Sequence, residues 1–173
     1  RNAVTRHHAR CFAVTFTLLV ILVTPGFAQT PVAENPVTAR QVLSTNPLTT
    51  ILIQWYNGEY ERQVRQNVTL GLSASRLGCC SGDAFFAANA AVRFYPGGTA
   101  LQGFYLGPRI GIFNNTDPDD TTGSLFGVGL ELGYAWLMGA EQHLSVSLGG
   151  GATRLSNGDP LPMIRIINIG WAF

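Results

Sequence analysis

Met163-Ile-Arg-Ile-Ile-Asn-Ile-Gly-Trp-Ala-Phe173 places a large apolar or aromatic group at every second position, with Ile167, Ile169, Trp171 and Phe173 on one face. Side chains of a strand alternate between two faces, so the segment presents a continuous apolar stripe ending in an aromatic pair. Chain ends are usually frayed and polar. A terminus built as a complete strand points to a last strand locked into a closed sheet.

The opposite end carries a different signal. Arg1 to Arg10 holds three arginines and two histidines, Phe12 to Val23 is a run of apolar residues and Thr, and Gly26-Phe27-Ala28 sets small residues where a signal peptidase reads. The apolar run is roughly 12 residues, suited to a signal peptide and short of the ~20 of a spanning helix. Residues 1–28 therefore read as a secretory signal cleaved near Ala28, with Gln29 first in the mature chain. Cys11 is not at the cleavage point, so no lipoprotein anchor is indicated. With no initiator Met, the sequence reads as a fragment or a mis-started reading frame. Residues 29–46, with Pro31 and Pro36, read as a leader without a membrane pattern, and residues 47–173 as the folded domain.

Composition separates a membrane barrel from a soluble one. Charged residues make up 12% of the chain against a usual ~25%, glycine is abundant at 20, and there is no lysine. A water-facing sheet needs charge for solubility and edge protection. Here the polar faces are mostly Gly, Ser, Ala and Thr, which suit the inside of a narrow barrel whose interior is filled by side chains. The net charge of +1 gives no nucleic-acid signal. No further apolar run reaches spanning length, so a membrane-embedded chain must cross as a closed barrel.

The strands follow from alternation. Phe126, Val128, Leu130, Leu132, Tyr134, Trp136 and Met138 oppose Gly127, Gly129, Glu131, Gly133 and Ala135. Leu144, Val146, Leu148, Gly150 and Ala152 oppose Ser145, Ser147, Gly149 and Gly151. Phe104, Leu106, Ile110 and Ile112 oppose Gly103, Tyr105, Gly107, Arg109 and Gly111, with Pro108 on the apolar face as a candidate bulge. Phe86 to Tyr95 and Val68 to Arg76 alternate in the same way. Tyr95 to Thr99 and Gly139 to Gln142 are short turns, whereas 78–83, 114–122 and 156–162 are longer and polar, an alternation that puts Phe173 at the periplasmic end of an outer-membrane barrel.

Single-chain bacterial barrels have even strand numbers, and these segments with one strand before Val68 come to seven. The apolar phase changes between Ile51, Ile53, Trp55 and Tyr60, Val64, with the hairpin signal Asn57-Gly58 between them. The preferred reading splits this region into strands Leu48–Tyr56 and Glu59–Arg65. The alternative is one long strand with a bulge at Asn57-Gly58 and an eighth strand elsewhere. The fold class is thus an all-β, membrane-spanning, up-and-down antiparallel β-barrel of eight strands.

Asn46-Pro47-Leu48, Glu59-Tyr60-Glu61-Arg62, Arg93-Phe94-Tyr95-Pro96, Gly103-Phe104-Tyr105-Leu106-Gly107, Glu131-Leu132-Gly133-Tyr134 and Gly170-Trp171-Ala172-Phe173 are similar to a family of small bacterial outer-membrane β-barrel proteins of uncharacterised function, with OmpX- or OmpA-barrel-like architecture. The resemblance implies residence in the bacterial outer membrane, contact with its lipids, and recognition of Ile169, Trp171 and Phe173 by the barrel assembly machinery. It implies no activity.

By strand phase, Glu61, Arg93, Arg109 and Glu131 project away from the apolar face and meet inside. Glu61 and Arg93 are expected in a lower layer roughly five residues above the periplasmic edge, Arg109 and Glu131 in a middle layer roughly ten above it, with Tyr105 near Glu131. The preferred function is a non-enzymatic, structural, adhesive or anchoring barrel with a plugged interior. A lipid A-modifying enzyme is the alternative. His143 and Ser145 superficially resemble the His-x-Ser spacing of outer-membrane lipid A deacylases, but the surrounding pattern is absent and no carboxylate follows on that strand. The sequence calls for no catalytic residue, metal or cofactor. Cys79-Cys80 forms a vicinal disulfide or two free thiols in an external loop, Asp117, Asp119 and Asp120 solvate another, and an unknown protein or surface ligand at such loops is the remaining partner class.

Overall fold

The computed structural model describes residues 39–77, 85–115 and 123–173. The signal peptide, Cys79-Cys80, and Asp117, Asp119 and Asp120 lie outside the described residues. Eight antiparallel strands close into one barrel in sequence order. They are β1 (Gln41–Thr45), β2 (Trp55–Arg65), β3 (Val68–Leu77), β4 (Phe85–Phe94), β5 (Gly103–Asn115), β6 (Leu125–Met138), β7 (Leu144–Leu155) and β8 (Pro160–Ala172), with one helix, α1 (Pro47–Ile53), between β1 and β2.

The first two elements differ from the sequence reading. Strand β1 lies in the segment expected to be a leader, and pairs Gln41 to Ser44 with β2 and Val42 to Thr45 with β8, which closes the barrel. Five residues are too few for a strong periodic signal. Leu48–Tyr56 is not a strand. Asn46 caps α1 by accepting the Thr49 N–H on its side chain at 3.1 Å, and Pro47 fills the first helical turn, where an N–H is dispensable. The helix stops at Gln54, in the left-handed region with φ 51°. Asn57-Gly58 makes no hairpin. Both residues stay in the β2–β3 ladder opposite Ser75 and Ala74. The Asn57 side chain instead accepts from the Asn46 backbone N–H at 2.7 Å, seating the start of α1. The phase change was therefore a helix preceding a strand.

Strand β1 ends opposite Ile169, so residues 160–168 of β8 have a ladder partner only in β7. Helix α1 packs against β2 and β8 at this point, covering the half-paired edge. Pro160 and Pro162 fall on it, where a missing N–H costs least. Further along β8, Ser147 pairs with Asn168 and Gly149 with Arg165, so Ile166 and Ile167 together oppose Leu148. This bulge resets the phase and turns both Asn168 and Arg165 inward. Pro108 produces no bulge. The β4–β5 pairing passes from Ala91↔Arg109 to Phe94↔Leu106 in equal steps, interrupted rather than shifted.

The outward face is apolar almost throughout, with Leu72, Phe86, Ile110, Leu130, Leu132, Ile164 and Trp171 all exposed. Inside, the contents are layered. At the short-turn end, Tyr95, Ala100, Leu101, Tyr105, Ala135, Leu137, Ala172 and Val42 form a buried apolar cluster. The β4–β5 connection folds into the barrel mouth and is held there by bonds from the Tyr95 N–H to Asn67 O and from the Ala100 N–H to Gln66 O, each 2.8 Å. At the other end, Phe85 lies 6.4 Å from Trp55 and 6.2 Å from Phe113, centroid to centroid, in an inward aromatic layer. A Cβ on Gly127 would stand 2.8 Å from the Phe113 ring, so this glycine makes room for it.

Folded barrels hold their shape in detergent until boiled, which gives a gel-mobility assay for closure. Deleting residues 41–45 is expected to abolish the heat-sensitive band, whereas Leu43→Ala, which alters one outward side chain, preserves it. A folded band surviving the deletion would show that β8 closes without β1.

Candidate functional site

Between the apolar and aromatic layers, six charged side chains from five strands meet in the barrel: Glu59 and Glu61 from β2, Arg93 from β4, Arg109 from β5, Glu131 from β6 and Arg165 from β8, all buried. Three carboxylates face three guanidinium groups, so this interior set is balanced. Arg93 is its hub. Its Nη1 pairs with Glu59 Oε1 at 2.8 Å and with Glu61 Oε2, and its Nε donates to Glu131 Oε1 at 2.5 Å. Its guanidinium also lies 5.0 Å from the Tyr105 ring centroid, within cation–π range.

The carboxylates find neutral donors as well. Glu61 Oε1 accepts from Thr69 Oγ1 at 2.5 Å and from the Tyr95 hydroxyl at 2.7 Å. Arg165 donates from Nη2 to Glu59 Oε2 and from Nη1 to the Tyr105 hydroxyl at 2.9 Å. Arg109 is held more loosely. Its Nη1 stands 3.7 Å from Glu131 Oε2, beyond hydrogen-bond range, and neither Nε nor Nη1 has a hydrogen-bond partner. The space beside it, lined by Glu59, Asn89, Arg93 and Glu131 among others, is about 10 Å³, on the scale of one water molecule.

Glu61, Arg93, Arg109, Glu131 and Tyr105 all lie inside. The two layers assigned from turn counting merge, because Arg93 reaches both Glu61 and Glu131. The bonded partner of the Tyr105 hydroxyl is Arg165. Glu59 and Arg165 complete the set and were not anticipated. Glu59 shares the inward phase of Glu61 two residues on, and a turn at Asn57-Gly58 would leave it at the first position of a strand, at the rim, whereas it lies mid-strand in β2. Arg165 is hidden by the bulge, since strict alternation back from Phe173 would turn it outward.

At the short-turn rim, Ile169, Trp171 and Phe173 all face outward, and Phe173 is tied to β1 by its N–H to Gln41 O and by the Gln41 N–H to its own O, both 2.9 Å. The His143 ring stacks on Trp171 at 4.9 Å, with Nδ1 2.8 Å from Ala172 O and Nε2 3.2 Å from Glu141 Oε2. Ser145 is turned inward and buried. Both His143 nitrogens thus have other neighbours than the serine, an arrangement unlike a nucleophile and its base. Among the described residues, no group of three His, Cys, Asp or Glu is placed to hold a metal.

No family model matches the chain. No curated protein matches it either. Among solved structures, the N-terminal β-barrel domain of Pseudomonas aeruginosa OprF is similar at 14% identity, covering 81% of this chain and 100% of that one, with a TM-score of 0.47. The Yersinia pestis outer membrane protein Ail, in a phospholipid bilayer nanodisc, is similar at 10% identity over 78% of this chain and 99% of its own, also with a TM-score of 0.47. Both are likenesses of outline, and the barrel stands on its own strand ladder.

The unequal bonding of the two arginines is measurable. Arg93→Met strips three carboxylates of their shared partner and is expected to cost ~3–5 kcal/mol, as for breaking a buried ion pair. Arg109→Met, at a group with one loose ion pair, is expected to cost less than half as much. Denaturant midpoints of the refolded barrels in one detergent test this, and equal losses would contradict the assigned hub.

Proposed function

We propose that this protein is a non-enzymatic bacterial outer-membrane barrel with a structural, adhesive or anchoring role and a plugged interior. The observation that carries the reading is the inversion of the usual arrangement: a closed ladder whose outward face is a belt of Leu, Ile, Val and Phe, and whose strand carboxylates, with three arginines, are gathered inside. In hydrocarbon every backbone group must be paired within the protein, which a closed barrel achieves, and apolar side chains facing outward are then the soluble choice. In water, a belt of this extent would drive aggregation.

Orientation follows from the connections and the aromatics. Phe94, Phe104, Tyr134, Trp136, Trp171 and Phe173 gather toward the short-turn end, as an interfacial girdle does, and short turns belong to the periplasmic side. The far ends of β3, β5 and β7 then point outside, where a surface ligand or protein partner would bind. Residues 1–28 serve as the export signal, cleaved near Ala28, and Ile169, Trp171 and Phe173 as the strand read by the assembly machinery. A buried ionic layer between two hydrophobic layers supports a plug over a channel.

The protein is expected in the outer-membrane fraction with a heat-modifiable gel mobility, and deletion of Phe173 to reduce the inserted amount. Mass spectra of lipid A from cells with and without the protein are expected to coincide. A soluble periplasmic product would refute the membrane reading, and a change in acyl number would replace it with the enzyme.

A further inference from the structure

The outward wall formed by β2 to β5 carries a groove of about 420 Å³, lined by Leu70, Leu72, Ala90, Val92, Pro108 and Ile110, with Tyr60 and Arg62 along its β2 flank, opposite Leu72 and Leu70. Its shape follows from the register. Ala90 sits directly between Leu72 on β3 and Ile110 on β5, so a methyl group lies between two larger side chains and a trough runs along β4. Pro108 in its lining offers no N–H, and the β4–β5 pairing is interrupted there, at Val92 and Arg93.

Arg62 gives the trough a polarity. It is exposed, and its strand phase is opposite to that of the inward Glu59 and Glu61. None of the ion pairs among the described residues includes it. The carboxylates of the strands, Glu59, Glu61 and Glu131, are all turned inside, so the wall itself has no counter-charge to offer. Arg62 lies three residues before the end of β2 at Arg65, about 10 Å from the strand terminus, within reach of a headgroup layer for a long side chain.

Resting on the outer-membrane reading, we propose that this groove binds one anionic phospholipid of the periplasmic leaflet, with its phosphate on Arg62 and an acyl chain along Leu70, Leu72, Ala90 and Ile110. The apolar trough supplies a surface for the chain and the unpaired guanidinium fixes the headgroup. A second copy of the barrel would present the same cation and the same apolar wall, without the negative charge this site requires.

Native mass spectrometry of the purified full barrel, equilibrated with phosphatidylglycerol or phosphatidylcholine in detergent, tests the site, while heat-modifiability of the same sample reports independently on the barrel. Wild type is expected to retain one phosphatidylglycerol in preference to phosphatidylcholine. Arg62→Gln is expected to weaken that retention about fivefold, the effect of one basic residue at a membrane surface. Ala90→Phe, which fills the trough from its outward face, is expected to lower retention of both lipids. Arg76→Gln, at the far end of β3, leaves retention unchanged. A heat-modifiable wild type that retains neither lipid, that binds both equally, or that forms a dimer with an empty groove would overturn the proposal, as would an Arg62→Gln barrel that binds like wild type.

Discussion

A balanced set of six buried charges is the constraint around which this barrel is arranged. An eight-stranded interior has to be filled by side chains, and an unpaired ion there would be costly. Arg93 resolves this by touching three carboxylates from two strands, while Tyr95 and Thr69 donate to Glu61 and the Tyr105 hydroxyl accepts from Arg165. The surroundings follow from that centre. A Cβ on Gly133 would stand 2.4 Å from the Tyr105 hydroxyl, so the glycine-rich face of β6 is what admits the ring that supports Arg93 and Arg165.

The same centre gives specificity to the sheet. A one-residue slip in β2, β4, β5, β6 or β8 would exchange its two faces, sending a charged residue outward and an apolar one inward. Buried ion pairs are weak evidence for stability in themselves, since well-packed apolar replacements are often as stable. Their value here lies in register: Glu59, Glu61, Arg93, Arg109, Glu131 and Arg165 mark the inward phase of β2, β4, β5, β6 and β8.

Strict alternation made much of this readable from residues alone. Strands β3 to β7 keep an unbroken period of two, so their faces, and with them Arg93, Arg109, Glu131 and Tyr105, follow from parity. Reading failed where another local rule took over. Asn57-Gly58 carries the strongest hairpin signal yet lies within a ladder, because the Asn57 side chain is committed to Asn46. Strand β1 is five residues long and owes its existence to two partners distant in sequence. The bulge at Ile166 and Ile167 is invisible in a run of apolar residues, and it alone decides where Arg165 points.

Every strand pairs with its neighbours in the chain except β1 with β8, so closure joins the two ends of the meander. The ion pair between Arg165 and Glu59 spans 106 positions of sequence and brings β8 to β2 across that seam. Such a contact carries the entropy of joining distant ends, which contacts between successive strands largely avoid. The cost of circularising the meander therefore falls on this seam, where a five-residue ladder, one helix and a single arginine hold the two ends together.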